Sequence, residues 1–228
     1  MRLIPAPVQR GFEALLDPLV GWLIRWGVRP NAITTIGTLI LAAAGVAFGL
    51  GRIQTGALLL LLSGVADMLD GKVARQSVGV TAFGAFYDST LDRVGETALF
   101  LGIVIFFLNG GLLPQWRIWG TTIAIVALSA GLTVSYARAR AEGLGLECKV
   151  GFAQRAERIL GVGIPCLFFG AGRDGWMLFW IVAALALLAS ITVVQRIAHV
   201  YDQTRTAPRR RTEARRIPEL SETNRERK

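Results

Sequence analysis

The chain of 228 residues is poor in the side chains on which soluble enzymes and small secreted domains rely. It has only two cysteines and one histidine. Cys148 and Cys166 form neither a CxxC pair nor a Cys/His cluster, which excludes a disulfide scaffold and a thiolate zinc site and leaves two thiols expected to be free. Charge is also scarce: Asp, Glu, Lys and Arg make up 18% of the chain, whereas a soluble domain carries roughly 25%. No cleavable signal peptide is expected at the N-terminus. Apolar residues fill the gap at 53%, enough for several spans of ~20 residues each, and 26 glycines suit close helix packing in lipid. A soluble globule and a largely disordered chain are both excluded.

The net charge of +9 is unevenly placed. The stretch from Arg205 to Lys228 holds nine basic residues against four acidic ones, a net +5. With few apolar residues and no helical period, it reads as a disordered basic tail attracted to a membrane surface, or as a topology signal, and not as a nucleic-acid site. Apolar windows at 33–50, 55–75, 82–108, 119–140, 152–171 and 175–198 predict six transmembrane helices. The connections near Gly51, Asn109 and Gly172 carry one arginine each: Arg52, Arg117 and Arg173. The opposite side collects Arg2, Arg10, Arg25, Arg29, Lys72, Arg75, Arg138, Arg140, Lys149, Arg155, Arg158 and Arg196, which places both termini in the cytoplasm. Trp116, Trp119, Trp176 and Trp180 fall at the outer ends of spans, as an aromatic belt requires. Ahead of the first span, Phe12, Leu15, Leu16, Leu19, Trp22, Leu23 and Trp26 repeat at helical spacing. Arg10, Glu13, Asp17 and Arg25 take other positions there. This predicts an amphipathic helix lying on the inner surface, kinked at Pro18. The expected architecture is therefore an all-α integral membrane protein: an interfacial helix over 1–29, a six-helix membrane domain over 30–203 and a basic tail over 204–228.

Four carboxylates sit where an apolar span should exclude them. An ionised acid inside a span costs at least ~2.5 kcal/mol on insertion scales, yet Asp67 and Asp70 close the second span and Asp88 and Asp92 open the third. Spacings of three and four residues put each pair on one helix face. The turn between the two spans is on the cytoplasmic side, so antiparallel helices can bring all four side chains together. Asp67 precedes Arg75 by eight residues, ~12 Å along a helix, which sinks the cluster below the interface. Hard oxygen donors without histidine or cysteine favour Mg²⁺ or Mn²⁺ over zinc. Two divalent cations would neutralise four carboxylates and suit in-line displacement at phosphorus; one metal with lysine or arginine partners is the weaker variant. The competing arrangement is a set of buried salt bridges to Lys72, Arg75 and Arg93, three cations for four acids. Gly71, Ala74 and Gly84 are small residues placed where a nucleotide could approach the backbone, although helix packing explains any one of them equally well.

Together Asp67, Asp70, Gly71, Ala74, Arg75, Gly84, Asp88 and Asp92 spell DxxDGxxAR, eight residues, then GxxxDxxxD. This resembles the signature of the CDP-alcohol phosphotransferase family at every fixed position. The resemblance implies a homodimeric membrane enzyme of six spans that moves a phosphatidyl group from CDP-diacylglycerol to an alcohol and releases CMP. It further implies that Asp67, Asp70 and Asp88 hold the metals. Asp92 would be a possible further ligand and chiefly the general base that takes the proton of the attacking hydroxyl. Gly71, Ala74, Arg75 and Gly84 would line the cytidine and diphosphate site. Pro30, Asn31 and Thr34 form a PNxxT start to the first span similar to the family's, where it borders the nucleotide; a helix cap at Asn31 is an equally good local reading.

For the acceptor, the connection between the fourth and fifth spans carries Arg138, Arg140, Lys149, Arg155 and Arg158 against Glu142, Glu147 and Glu157, a net +2. That points to an anionic alcohol, although topology alone also gathers basic residues on this side. The stretches SYARARAEGLG, GFAQRAER and TVVQR are similar to the phosphatidylinositol-phosphate synthase branch of the family. In that branch, residues matching Arg138, Arg158 and Arg196 hold the phosphate of inositol phosphate. The chain departs from the branch in having Arg138 where lysine is commoner. It also reads YDSTLDR around Asp88, unlike the DPxADK of glycerophosphate-using relatives. The expected function is thus Mg²⁺- or Mn²⁺-dependent transfer to inositol phosphate or another phosphorylated alcohol at the cell membrane, with the active site cytoplasmic. The alternatives are phosphatidylglycerophosphate synthesis and, from another class, a cation or proton transporter. The transporter leaves the glycine spacing unexplained and lacks a second acidic constellation, since Glu96 is the only further acid before Glu142. His199, beyond the last apolar window, is expected at the interface and not in catalysis.

Overall fold

The computed structural model describes residues 6–77, 79, 81–148, 150–151 and 155–206. Arg2, Lys149 and the tail beyond residue 206 lie outside the described residues, as do the side chains of Arg10, Phe12, Glu13, Arg155 and Glu157. Among the described residues there is no strand, and seven α-helices follow one another: α1 (Ala6–Arg25), α2 (Pro30–Gly49), α3 (Ile53–Gln76), α4 (Ala82–Phe106), α5 (Arg117–Gly143), α6 (Arg155–Phe169) and α7 (Trp176–Thr206). Pro30 at the first position of α2 has the fixed φ a helix start tolerates. Thr81 caps α4 by accepting a hydrogen bond from the Gly84 backbone N–H at 3.0 Å. At its far end α4 widens into a single π turn, Phe107–Gly111, which terminates at Gly110 with φ 104°.

The connections reverse the chain from one helix to the next, but the strongest packing is not always between consecutive helices. α2 packs against both α3 and α4, α5 against α7, and α6 against α3. The α3–α4 turn, the C-terminal end of α5, the start of α6 and the end of α7 therefore share one end of the bundle, called here the basic end. At the opposite end Trp116 meets Trp176 edge-on at a centroid distance of 5.1 Å, with Phe179 and Trp180 completing the aromatic group. Near that end the core is built around Phe48, Leu60, Ile103, Phe107, Leu178 and Val182, all fully buried.

The backbones of α2 and α4 come into direct contact. A methyl group added at Gly102 would lie 1.9 Å from the Gly45 carbonyl oxygen, and one added at Gly45 would lie 2.2 Å from the Ala98 carbonyl oxygen. Backbone meets backbone here, and glycine is what lets it. This contact sets the separation of α2 from α4, hence where the start of α4 stands relative to the PNxxT turn of α2.

Each of the six expected spans contains a helix, but among the described residues three are both long and apolar enough to cross a membrane by length and composition: Pro30–Gly49, Pro114–Gly143 and Arg173–Arg205. α3 and α4 have the length, 24 and 25 residues, but their apolar character is diluted by the very aspartates and basic residues of the signature. α6 has 15 residues, ~22 Å at 1.5 Å per residue, short of the ~30 Å hydrocarbon core.

The N-terminal helix differs from expectation in which face is packed. Leu16 and the fully buried Val20 dock on Ile33, Ala66, Leu69 and Val73 of α2 and α3. Leu15, Leu19, Trp22 and Trp26 stay exposed along the other side, with the two indoles 5.0 Å apart. Their stripe was legible as apolar periodicity. Val20 was not, because it lies between two apolar faces. Pro18 is inside α1, which is nonetheless one continuous helical segment.

Gly102→Ala should force α2 and α4 apart and destabilise the fold by about 1–3 kcal/mol, the usual cost of overpacking. Gly143→Ala, where an added methyl meets nothing within 4 Å, should be neutral or slightly stabilising. Thermal unfolding of the two variants in detergent, compared with the parent chain, checks both.

Candidate metal and phosphate site

Three of the four expected carboxylates come together. Oxygens of Asp67, Asp70 and Asp88 all lie within 4.8 Å of one another. Asp67 and Asp70 occupy the last turns of α3, and Asp88 follows the Thr81 cap by two turns of α4. Asp70 is buried, and the other two are half-buried. Thr34 of α2 lies within hydrogen-bonding reach of the Asp70 carboxylate, while its hydroxyl donates to the Pro30 carbonyl at 3.2 Å. Asp92 is not a member of this mutually close group. It lies one turn further along the same face of α4, 3.6 Å from the Arg93 guanidinium.

The basic residues of the signature are spread over different partners. Lys72 reaches out of the bundle to Asp17 of α1 at 2.5 Å. Arg75 folds back so that its Nη1 would be 3.3 Å from a methyl on Gly71, which places the guanidinium over that glycine. Arg93 Nη1 donates to the Ser89 carbonyl. The donor set is thus three carboxylates from two helices, and among the described residues this cluster offers hard oxygen without sulfur or imidazole. That fits a Mg²⁺- or Mn²⁺-type cation. Asp67, Asp70 and Asp88 are the residues that would hold it.

Gly84 lies against Asn31, whose Oδ1 would be 3.5 Å from an added Cβ, and against Thr81 Oγ1 at 2.9 Å. Asn31, Gly84, Gly71 and Arg75 therefore border the same end of the bundle as the carboxylates, with Ala74 half-buried on the following turn of α3. Thr35 and Tyr87, not singled out from the sequence, share a hydrogen bond of 2.9 Å that ties α2 to α4 immediately beside Asp88. Only the position of Tyr87 next to Asp88 could have drawn attention to it.

The three arginines expected to bind an acceptor come from three helices. Arg138 of α5 is exposed and pairs with Glu142 at 2.8 Å. Arg196 of α7 donates through Nε to the Val150 carbonyl at 3.0 Å and through Nη1 to the Val134 carbonyl. Arg158 of α6 is held by Glu96 at 2.5 Å. Arg158 lies against Gly131, Arg196 bonds the Val134 carbonyl and Arg138 follows one turn further along, so the three guanidinium groups gather along successive turns of α5. His199 contacts Gln203 at 2.7 Å, on the last turns of α7.

A helical membrane bundle with a carboxylate cluster and a basic pocket at one end defines a membrane-embedded enzyme of phosphorus chemistry. Residues 27–195 match the family described as CDP-alcohol phosphatidyltransferase, and the chain belongs to that family. It is 39% identical over 197 residues to the archaetidylinositol phosphate synthase of Methanothermobacter thermautotrophicus, covering 86% of this chain and 92% of that one. Identity to the phosphatidylinositol phosphate synthase of Cutibacterium acnes is 37% over 198 residues, 83% of this chain and 94% of the relative. Among solved structures, the Mycobacterium tuberculosis phosphatidylinositol phosphate synthase with CDP-DAG bound is similar at TM-score 0.70 and 30% identity, covering 81% of this chain and 92% of that one. The same enzyme in complex with manganese and citrate gives a TM-score of 0.71 at 30% identity, with coverage of 81% and 88%.

Loss of an orienting partner alone costs about 10–100-fold in metal affinity, so removing a ligand oxygen should cost at least as much. Asp70→Asn should accordingly weaken Mn²⁺ binding by on the order of 100-fold, read by electron paramagnetic resonance of the detergent-solubilised protein. Unchanged Mn²⁺ affinity would remove Asp70 from the ligand set.

Proposed function

We propose that this chain transfers a phosphatidyl group from CDP-diacylglycerol to inositol phosphate and releases CMP. What supports this reading is that the Asp67, Asp70 and Asp88 cluster lies on α3 and α4, and that α4 also holds Arg158 through Glu96, while Arg138 and Arg196 belong to the same end of α5 and α7. One constellation suits a diphosphate and the other an anionic acceptor. The names of the relatives, archaetidylinositol phosphate synthase and phosphatidylinositol phosphate synthase, support the same acceptor.

In this reading, Asn31, Thr34, Gly71, Ala74, Arg75 and Gly84 border the cytidine and diphosphate. The inositol hydroxyl attacks the phosphorus that carries the diacylglycerol, the bond from that phosphorus to the oxygen of CMP breaks, and CMP leaves. Asp92, next along the α4 face from Asp88, accepts the hydroxyl proton as general base. A divalent cation, when bound, supplies charge neutralisation for the diphosphate and for the leaving CMP. Arg138, Arg158 and Arg196 hold the acceptor's phosphate so that its hydroxyl faces Asp92.

The membrane placement follows the same evidence. α2, α5 and α7 cross the bilayer; α3, α4 and α6 complete a six-span bundle, with Asp70, Lys72 and the Glu96–Arg158 pair withdrawn into it. The exposed Leu15, Leu19, Trp22 and Trp26 face of α1 lies in the interface. The basic end faces the cytoplasm by the charge rule, with 30–203 as the membrane domain and 204–228 as a cytoplasmic basic tail. A homodimer, implied by the family resemblance, is part of this proposal.

CMP release from CDP-diacylglycerol in detergent should require both a divalent cation and inositol phosphate. Glycerol 3-phosphate supporting faster release than inositol phosphate would shift the assignment to phosphatidylglycerophosphate synthesis, and ion flux in sealed vesicles without nucleotide would favour transport. Asp92→Asn should lower kcat by at least about 100-fold, the low end of general-base contributions, while CDP-diacylglycerol binding persists. Arg196→Ala should raise the KM for inositol phosphate far more than the KM for the liponucleotide. An equal rise in both would remove Arg196 from the acceptor site.

A further inference from the structure

Asp88, Asp92 and Glu96 follow one another at four-residue intervals along α4, a ladder of carboxylates on one helix face. The three rungs are used differently. Asp88 joins the three-carboxylate cluster, while Glu96, two turns further into the bundle, accepts a hydrogen bond from Arg158 Nη1 at 2.5 Å. Both side chains of that pair are largely withdrawn from solvent, at 19% and 17% exposure. They form the polar wall of a cavity otherwise lined by apolar side chains such as Leu41, Leu60, Leu99 and Ile103.

Two further observations indicate that the pair aims the guanidinium and does more than bind helices together. Arg158 Nε is buried, and among the described residues it has no hydrogen-bond partner. A guanidinium already anchored at one nitrogen thus retains unused donor capacity. Gly131 of α5 sits against both partners: a methyl there would lie 2.8 Å from Arg158 Nη1 and 3.0 Å from Glu96 Oε1. α4 supplies the anchor, α6 the guanidinium and α5 the space that admits them.

We propose that Glu96 is a positioning residue for acceptor recognition: it fixes Arg158 one turn beyond Asp92, so that the remaining guanidinium donors meet the acceptor's phosphate while its hydroxyl lies at Asp92. This rests on the reading of Arg158 as part of the acceptor pocket. A rigidly held guanidinium spends less conformational entropy on each bond it makes to a phosphate, and its planar fork rewards correct orientation. In surroundings this apolar, removing the Glu96 charge also leaves Arg158 without its compensating partner and free to rotate toward other oxygens.

The test is steady-state kinetics of the full-length protein in detergent, with CDP-diacylglycerol and inositol phosphate each varied at saturation of the other. Glu96→Gln, which keeps the shape and loses the charge, should raise the KM for inositol phosphate about tenfold, the worth of a charge-assisted hydrogen bond. The KM for CDP-diacylglycerol should change by no more than about twofold. Glu96→Asp should recover part of the loss. Gly131→Ala removes no charge but displaces the end of the Arg158 side chain, and it should reproduce the acceptor-selective effect in milder form; it also carries the test if Glu96→Gln does not fold. A purely structural ion pair would instead lower thermal stability and move both KM values together, which overturns the proposal. Arg158→Ala run in parallel separates the two layers. If it leaves the inositol phosphate KM unchanged, the acceptor-pocket reading fails and this inference with it. If it raises that KM selectively while the Glu96 and Gly131 variants do not, only the positioning role is wrong.

Discussion

Three carboxylates within 4.8 Å of one another would, when all are ionised, repel each other by about 3.5 kcal/mol per pair at an effective dielectric constant near 20. In a bundle whose composition is otherwise suited to lipid, that repulsion is the constraint the rest of the molecule answers to. Helices carrying such charges would separate or turn their acids to water unless packing held them and a compensating cation joined them. The apolar core supplies the first, and the choice of oxygen donors defines the second. Hydrophobic burial is not specific enough to do this alone; the acids need fixed neighbours at fixed distances.

Those neighbours are set by contacts outside the cluster. The backbone approach of α2 to α4 at Gly45 and Gly102 fixes where the start of α4 can stand, and the Thr35–Tyr87 hydrogen bond fixes it again beside Asp88. Lys72, embedded in the signature itself, is drawn away to Asp17. That pair anchors the N-terminal helix to α3 just past Asp70 and joins a surface helix to the helix bearing half of the cluster. The exposed apolar stripe of α1 and its buried Leu16 and Val20 let one short helix face two apolar surroundings at once.

The basic end shows a division of labour among arginines that look alike in the sequence. Arg75 lies over Gly71, Arg138 pairs locally with Glu142, Arg196 donates through Nε and Nη1 to two backbone carbonyls, and Arg158 crosses to another helix. Burial and partner, not residue type, distinguish them. A guanidinium held by a carboxylate in an apolar wall is a more directional donor than one on a solvated surface, because the low local dielectric strengthens its pairings and the packing restricts its rotamers.

The order and approximate limits of the helices were legible from the sequence, because lipid-compatible apolar runs and a helix-start residue such as Pro30 act locally. So was the pairing of Asp67 with Asp70 on one face, which follows from 3.6 residues per turn. The charge asymmetry between the two ends was equally plain. What periodicity cannot state is the rotation of one helix about its axis relative to its neighbours. That rotation decided that Asp67, Asp70 and Asp88 meet while Asp92 stands a turn away, and that Val20 faces inward. It also gave Lys72 to Asp17 and Glu96, which looked like an isolated acid, to Arg158. The sequence by itself determined which side chains were available and on which helix; interhelical packing, governed by contacts between residues far apart in the chain, decided which of them share a charge.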